Sequence, residues 1–220
     1  MPGGSVLSAW VAIAVLLLLF GLIALEVARG KRTALDQSLI LALRSSTDPS
    51  QPIGQPWVQE AARDVTSLGS IIVVLITTTA IAGYLYLAQK SELAGLILLS
   101  VLGGVALNNL LKRFFARARP DFIVPSARVF TTSFPSGHAM LSATAYLTIG
   151  ALLSRAAPSA TLSLYFMLIA VLLTVIVGFS RVYLGVHYPT DVLAGWCVGA
   201  VWAIVCSVLM AWLQLRGHLR

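Results

Sequence analysis

Residues 93–120 read LAGLILLSVLGGVALNNLLKRFFARARP. Nineteen residues without a charge, Leu93 to Leu111, run directly into Lys112, Arg113, Arg117 and Arg119. That length matches the roughly 18–20 residues that cross a bilayer as a helix, and its end is a cluster of cations at headgroup level. Five further uncharged stretches occur, at 1–25, 65–89, 129–154, 156–180 and 192–215. Of 220 residues, 58% are hydrophobic and 10% charged, against about 25% charged in soluble domains. Six such segments in so short a chain exclude a soluble protein with a few buried helices. The expected fold is all-α: an integral-membrane six-helix bundle with helices at about 7–26, 67–88, 93–111, 137–154, 161–180 and 190–213. The whole chain, 1–220, reads as a single domain.

The connections carry the remaining information. Between the first two helices, Ala34–Arg44 places Leu35, Leu39, Ile40 and Leu43 at helical spacing opposite Asp36 and Arg44. The pattern predicts a short amphipathic helix at the interface, and the prolines of Thr47–Pro56 end it. The first segment, Leu7–Leu25, lacks a basic leader and exceeds a typical signal-peptide core, so a retained helix is expected. Cys197 and Cys206 fall in one helix, roughly 13 Å apart along its axis, too far for a disulfide with each other. The net charge of +7 does not point to nucleic acid, because Lys and Arg sit in short connections between apolar segments rather than on a solvated face. Lipid headgroups or an anionic substrate fit that distribution.

Counting crossings puts the connections 27–66, 112–136 and 181–189 on one face of the membrane. Lys112, Arg113, Arg117, Arg119, Asp121, Arg128, His138, Arg181, His187 and Asp191 gather there, and ionisable groups at helix ends against a bilayer are functional candidates. Three patterns stand out: Lys112 followed by six residues and Arg119-Pro120; Pro135-Ser136-Gly137-His138; and Ser180-Arg181, five residues, His187, then Asp191 four further on. Lys112, Arg119 and Arg181 supply three cations suited to phosphate oxygens. Ser136 and Gly137 precede a helix whose free N–H groups favour an anion.

His187 is the candidate nucleophile. A neutral imidazole can attack phosphorus if its other nitrogen is held as a donor, and Asp191, one helical turn away, can hold it. His138 is then the acid for the leaving alkoxide and the base for water. Each pattern alone has a plainer explanation: headgroup anchor, helix start, snorkelling side chain. Their occurrence together, in order, on one face, is what points to catalysis. His138, His187, Asp121 and Asp191 are the plausible metal ligands there, and the surrounding cations would repel a metal ion, so no metal or other cofactor is expected. Arg113, Arg117 and Arg128 are assigned to headgroups or solvent.

In these motifs the sequence resembles the type 2 phosphatidic acid phosphatase superfamily. All three of the family's patterns are matched without substitution, in a motif-bearing core of about 112–191. The resemblance implies a helical bundle with phosphate held by Lys112, Arg119, Ser136, Gly137 and Arg181, His138 as acid/base, His187 as phosphohistidine nucleophile and Asp191 as its orienting partner. It implies metal-independent dephosphorylation of a membrane lipid: phosphatidic acid, phosphatidylglycerol phosphate, a polyprenyl pyrophosphate or a lipid A phosphate. Asp64–Ser70 is also similar to a segment of bacterial members and is assigned a helix-start and packing role. Vanadium haloperoxidases share the cradle but are soluble. A sugar phosphatase, a lipid phosphotransferase and a non-catalytic scaffold or transporter remain alternatives. The motif face carries all but Lys90, Arg155, Arg216 and Arg220 of the 15 Lys and Arg, which by the positive-inside rule makes it cytoplasmic. The resemblance implies the opposite: a bacterial inner membrane protein with its site facing the periplasm or exterior.

Overall fold

The computed structural model describes residues 3–30, 34–120 and 131–215; Asp121, Arg128, Arg216 and Arg220 lie outside them. Among the described residues the chain forms eight α-helices: α1 Gly3–Ala28, α2 Ala34–Ala42, α3 Pro56–Ser67, α4 Ile71–Leu87, α5 Ser91–Phe115, α6 Gly137–Ala156, α7 Ala160–Tyr183 and α8 Pro189–Leu215. Four of these (α1, α5, α7, α8) are long and apolar enough to cross a membrane, and α3 with α4 make a fifth if that bent pair is one span. The count of six is therefore corrected. The all-helical class stands.

Two physical effects account for the difference. First, the expected helix 67–88 is present as α4, and an unexpected helix, α3, precedes it and meets it at 48°. Leu68–Ser70 forms the corner, with the Ser70 hydroxyl capping α4 through the Val73 N–H. A carbonyl released at such a break needs an internal partner in lipid, and Tyr146 Oη donates to Leu68 O at 2.8 Å. Asp64–Ser70 is thus the end of one helix and the start of the next. Second, α6 is less apolar because it is the central helix, packed against α4, α5, α7 and α8. Its Ser142, Thr144 and Thr148 are buried in protein, where lipid-facing hydropathy is not needed.

The bundle closes through small residues and satisfied polar groups, as expected where lipid supplies no hydrophobic drive between helices. A Cβ on Gly195 would lie 2.7 Å from Ser136 O, and one on Gly199 2.5 Å from Met140 O. Backbone cannot yield at those distances, so these glycines set the α6–α8 separation. Trp202 Nε1 donates to Ser100 O at 2.7 Å and Trp196 Nε1 to Thr174 O at 3.1 Å, tying α8 to α5 and α7.

The short helix α2 corrects a second expectation. Asp36 and Arg44 are buried, with Ile40, while Leu35 and Leu39 are exposed. The buried face pairs Asp36 with Ile40, one turn apart, and leaves Gln37 and Ser38 outside with the leucines, so it is an ion-paired carboxylate rather than an apolar stripe that sets how α2 docks. Arg44 Nη2 donates to Tyr183 O at 2.8 Å, and α2 packs on α8.

Candidate active site

One end of the bundle collects the C-termini of α5 and α7 and the N-termini of α6 and α8. Lys112 and Arg181 belong to the last turns of α5 and α7, not to the loops. The helices run one turn past the apolar segments because these cations face the protein interior. α5 ends at Ala116, whose φ of +44° turns the chain sharply. The chain then returns through 131–136, reaches α6 at Ser136, and crosses the cis Phe134–Pro135 bond on the way.

His187 occupies the short α7–α8 connection and is fully buried. Arg119 Nη1 lies 3.1 Å from its Nε2, and Asp191 Oδ2 lies 3.4 Å from its Nδ1. A guanidinium only donates. The Arg119 contact therefore makes Nε2 the lone-pair nitrogen and Nδ1 the protonated one, donating to Asp191. Asp191, in the first turn of α8, also accepts from Tyr188 N at 3.0 Å and from the Ser133 hydroxyl. Its own carbonyl receives the Ser136 N–H at 3.0 Å, which joins the α6 and α8 starts.

The remaining expected residues surround this pair. Lys112 Nζ donates to Thr132 O at 2.5 Å, and Arg119 also reaches Thr131 O at 2.8 Å and Val186 O at 2.5 Å. Arg181 Nη1 donates to Thr66 Oγ1 at 2.9 Å. Gly137 opens α6 beside Asn108 and Lys112, 3.3 and 3.6 Å from where a Cβ would stand. His138 follows it and lies within electrostatic reach of Arg181, His187, Arg119 and Lys112. The structure thus brings Lys112, Arg119, Ser136, Gly137, His138, Arg181, His187 and Asp191 to one end of one bundle. Residues 93–215, more than half of the chain, match the family model of the PAP2 superfamily.

The chain belongs to the PAP2 superfamily.

Two relatives and one solved structure bracket it. It is 38% identical over 149 residues to phosphatidylglycerophosphatase B of Bacillus subtilis, covering 67% of this chain and 72% of that protein. It is 32% identical over 134 residues to an undecaprenyl-diphosphatase of Sulfolobus acidocaldarius, covering 58% of this chain and 60% of the relative. The crystal structure of a transmembrane PAP2-type phosphatidylglycerolphosphate phosphatase from Bacillus subtilis matches with a TM-score of 0.81 at 30% identity, over 91% of this chain and 96% of that one. With its apolar helices, this PAP2 chain is an integral membrane protein.

Four site neighbours in this PAP2 protein escaped the sequence reading. Ser133 sits in a loop with no distinctive pattern, and Thr66, in the last turn of α3, falls in Asp64–Ser70, which was assigned only a helix-start and packing role. Arg117, assigned to headgroups or solvent, is instead nearly buried and bonds Asp191 Oδ1 at 2.7 Å and Asp36 Oδ2 at 3.0 Å. The one warning was Asp36, the single charged residue of a mainly apolar helix.

Burial holds the His187 imidazole down to about 3, against a usual value near 6.5; Asp191 opposes the shift, and the cations Arg119 and Arg181 add to it. The folded PAP2 chain therefore keeps His187 neutral at any physiological pH. An unfolded chain takes up that proton near 6.5, so the stabilisation is complete above that pH and is lost as pH falls towards 3. Thermal unfolding in detergent between pH 7.5 and 4.5 is expected to show a steeper loss of stability for wild type than for His187→Gln. Equal slopes would remove His187 as the group responsible.

Proposed function

We propose that this protein is a lipid phosphatase that removes a phosphomonoester or pyrophosphate group by way of a phosphohistidine at His187, without a metal. The observation that carries the reading is the His187 ring itself, with a lone pair at Nε2 facing Arg119 and a proton at Nδ1 facing Asp191. Two buried groups, Ser136 Oγ and Arg181 Nε, make no hydrogen bond within the described protein. Both are donors that a phosphate oxygen would satisfy.

For attack, Arg119 exchanges Nε2 for phosphate oxygens, and Lys112, Arg181 and the first-turn N–H groups of α6 take the rest. The Nε2 lone pair forms the bond to phosphorus and the bond to the leaving oxygen breaks. Burial and the surrounding cations hold the His138 imidazole down to about 3; the phosphate's negative charge offsets those cations, so His138 takes up a proton from solvent on substrate binding and gives it to that oxygen. Water then attacks the phosphohistidine with His138 accepting its proton. The P–N bond breaks, phosphate leaves, and the neutral imidazole returns. Three side-chain cations meet the charge of the transferring group, so positioning and electrostatics carry the chemistry.

A lipid is favoured over a soluble substrate by position. An apolar groove of about 420 Å³ between α3 and α7, with Trp196 of α8, is lined by Val58, Ala62, Val65, Phe179 and also Ser180, the residue before Arg181. A tail in that groove leaves the headgroup beside the cradle. The relatives named for phosphatidylglycerophosphate and undecaprenyl diphosphate make those two lipids the first substrates to try.

The test is phosphate release by detergent-purified protein from phosphatidic acid, phosphatidylglycerol phosphate and polyprenyl pyrophosphate, with excess chelator. Release undiminished by chelator is expected. No release from any lipid by folded protein would overturn the assignment, and transfer of the phosphoryl group to an added alcohol without free phosphate would make the protein a phosphotransferase. We place the site on the periplasmic or outer face of a bacterial inner membrane. A Ser46→Cys protein should then be labelled by an impermeant thiol reagent in intact cells, and full protection would put the site inside.

A further inference from the structure

We infer that Arg117 and Asp36 are positioning residues for the His187–Asp191 pair: Arg117 fixes the Asp191 carboxylate, and Asp36 shares that cation so that Asp191 keeps its strength as an acceptor. This rests on His187 being the nucleophile, as proposed above.

The geometry divides the work between the two oxygens of Asp191. Oδ2 faces the donors of its own neighbourhood, His187 Nδ1, the Tyr188 N–H and the Ser133 hydroxyl. Oδ1 is taken by Arg117 Nη1 at 2.7 Å. The side chain of Arg117 is 10% exposed and its two partners essentially not at all. Its guanidinium carbon also lies 4.1 Å from the centre of the Tyr188 ring, so a stacked face and two bonded edges hold it.

A lone Arg117 would spend its whole charge on Asp191 and weaken that carboxylate's hold on the imidazole proton. Asp36 divides the charge, because Arg117 Nη2 donates to Asp36 Oδ2 at 3.0 Å. Asp36 also fixes the backbone that carries Asp191. Its Oδ1 accepts the Thr190 N–H at 3.0 Å and its Oδ2 the Thr190 hydroxyl at 2.7 Å. Thr190 precedes Asp191 in the first turn of α8, where a carboxylate caps free N–H groups. The cap comes from α2, a helix with no residue in any of the three motifs. Apolar side chains could fill this volume at lower desolvation cost. The charges are better explained by the group they touch.

The test combines kinetics with a measurement that needs no turnover. Asp36→Asn is expected to lower kcat about 10-fold and Arg117→Met about 100-fold, the range seen when partners of a catalytic ligand are removed. KM should stay within about twofold, because the phosphate cradle is untouched. Since Asp36 acts partly through Arg117 and partly through Thr190, the double variant should fall well short of the product of the two single effects. Multiplying effects, or a change in KM with kcat preserved, would overturn the inference.

In parallel, 15N spectra of histidine-labelled protein saturated with inorganic phosphate, which draws Arg119 off Nε2, should give a single Nδ1–H tautomer for His187 in wild type and a tautomer mixture in either variant. His187→Gln identifies the resonance. An unchanged tautomer in both variants would also overturn the inference. Absence of phosphate release from wild type would instead remove the phosphatase reading, with the spectra still deciding the positioning role. If Arg117→Met yields no folded protein, Asp36→Asn, which keeps the size of the side chain and loses its charge and one acceptor, decides alone.

Discussion

A His187→Ala protein is expected to fold, to bind phosphate as wild type does, and to release phosphate at least about 10³-fold more slowly. The loss follows from geometry. Nε2 is the lone-pair nitrogen next to the guanidinium that would seat the phosphoryl group, and with it gone only water can attack. The fold should survive because the imidazole is neutral, so its removal strands no charge. Asp191 keeps Arg117, Ser133 and the Tyr188 N–H as donors. Initial rates should be read beside acid-labile, base-stable 32P incorporation, expected in wild type and absent from the variant. A folded His187→Ala protein with wild-type rates would end the nucleophile assignment.

The sequence spoke clearly wherever one residue type at one spacing decides the outcome. Uninterrupted apolar runs marked α1, α5, α7 and α8, because bilayer thickness sets their length. The three motifs marked the site, because each sits at a helix end and all the ends meet. What stayed hidden depended on partners far along the chain. Arg117 and Asp36 are 81 positions apart and Arg117 and Asp191 74, so nothing local separates Arg117 from an ordinary headgroup arginine. The inward turn of Asp36 was misread for a different reason: amphipathic patterning weighs apolar against polar residues, and here an ion pair with Arg117 sets the docked face. The segment Asp64–Ser70 was legible as the start of α4, but α3 before it was not, and with it the corner at Leu68–Ser70. Its reason is the close approach of Val177 and His138, 2.5 and 3.0 Å from where a Cβ of Gly69 would stand.

Asp191→Asn is expected to lower kcat by about 10²–10⁴ with little change in KM or in vanadate affinity, the scale seen when an orienting carboxylate loses its charge. An amide cannot replace this carboxylate in either orientation. With its NH2 group at the Oδ2 position it faces the Tyr188 N–H, a fixed donor, and the Nδ1–H of His187. With NH2 at the Oδ1 position it faces Arg117, which cannot accept. In both cases the reason for His187 to keep its proton on Nδ1 is weakened. A proton on Nε2 would block attack. The phosphate-facing groups Lys112, Arg119 and Arg181 are unchanged, so binding should persist while turnover falls. The fold should hold as well, because Arg117 retains Asp36 and no buried charge is left alone. Initial-rate kinetics with thermal unfolding of the same sample checks both halves. A kcat within threefold of wild type would show that the Nδ1 contact does not govern the reaction, and would leave Asp191 only its place in the first turn of α8.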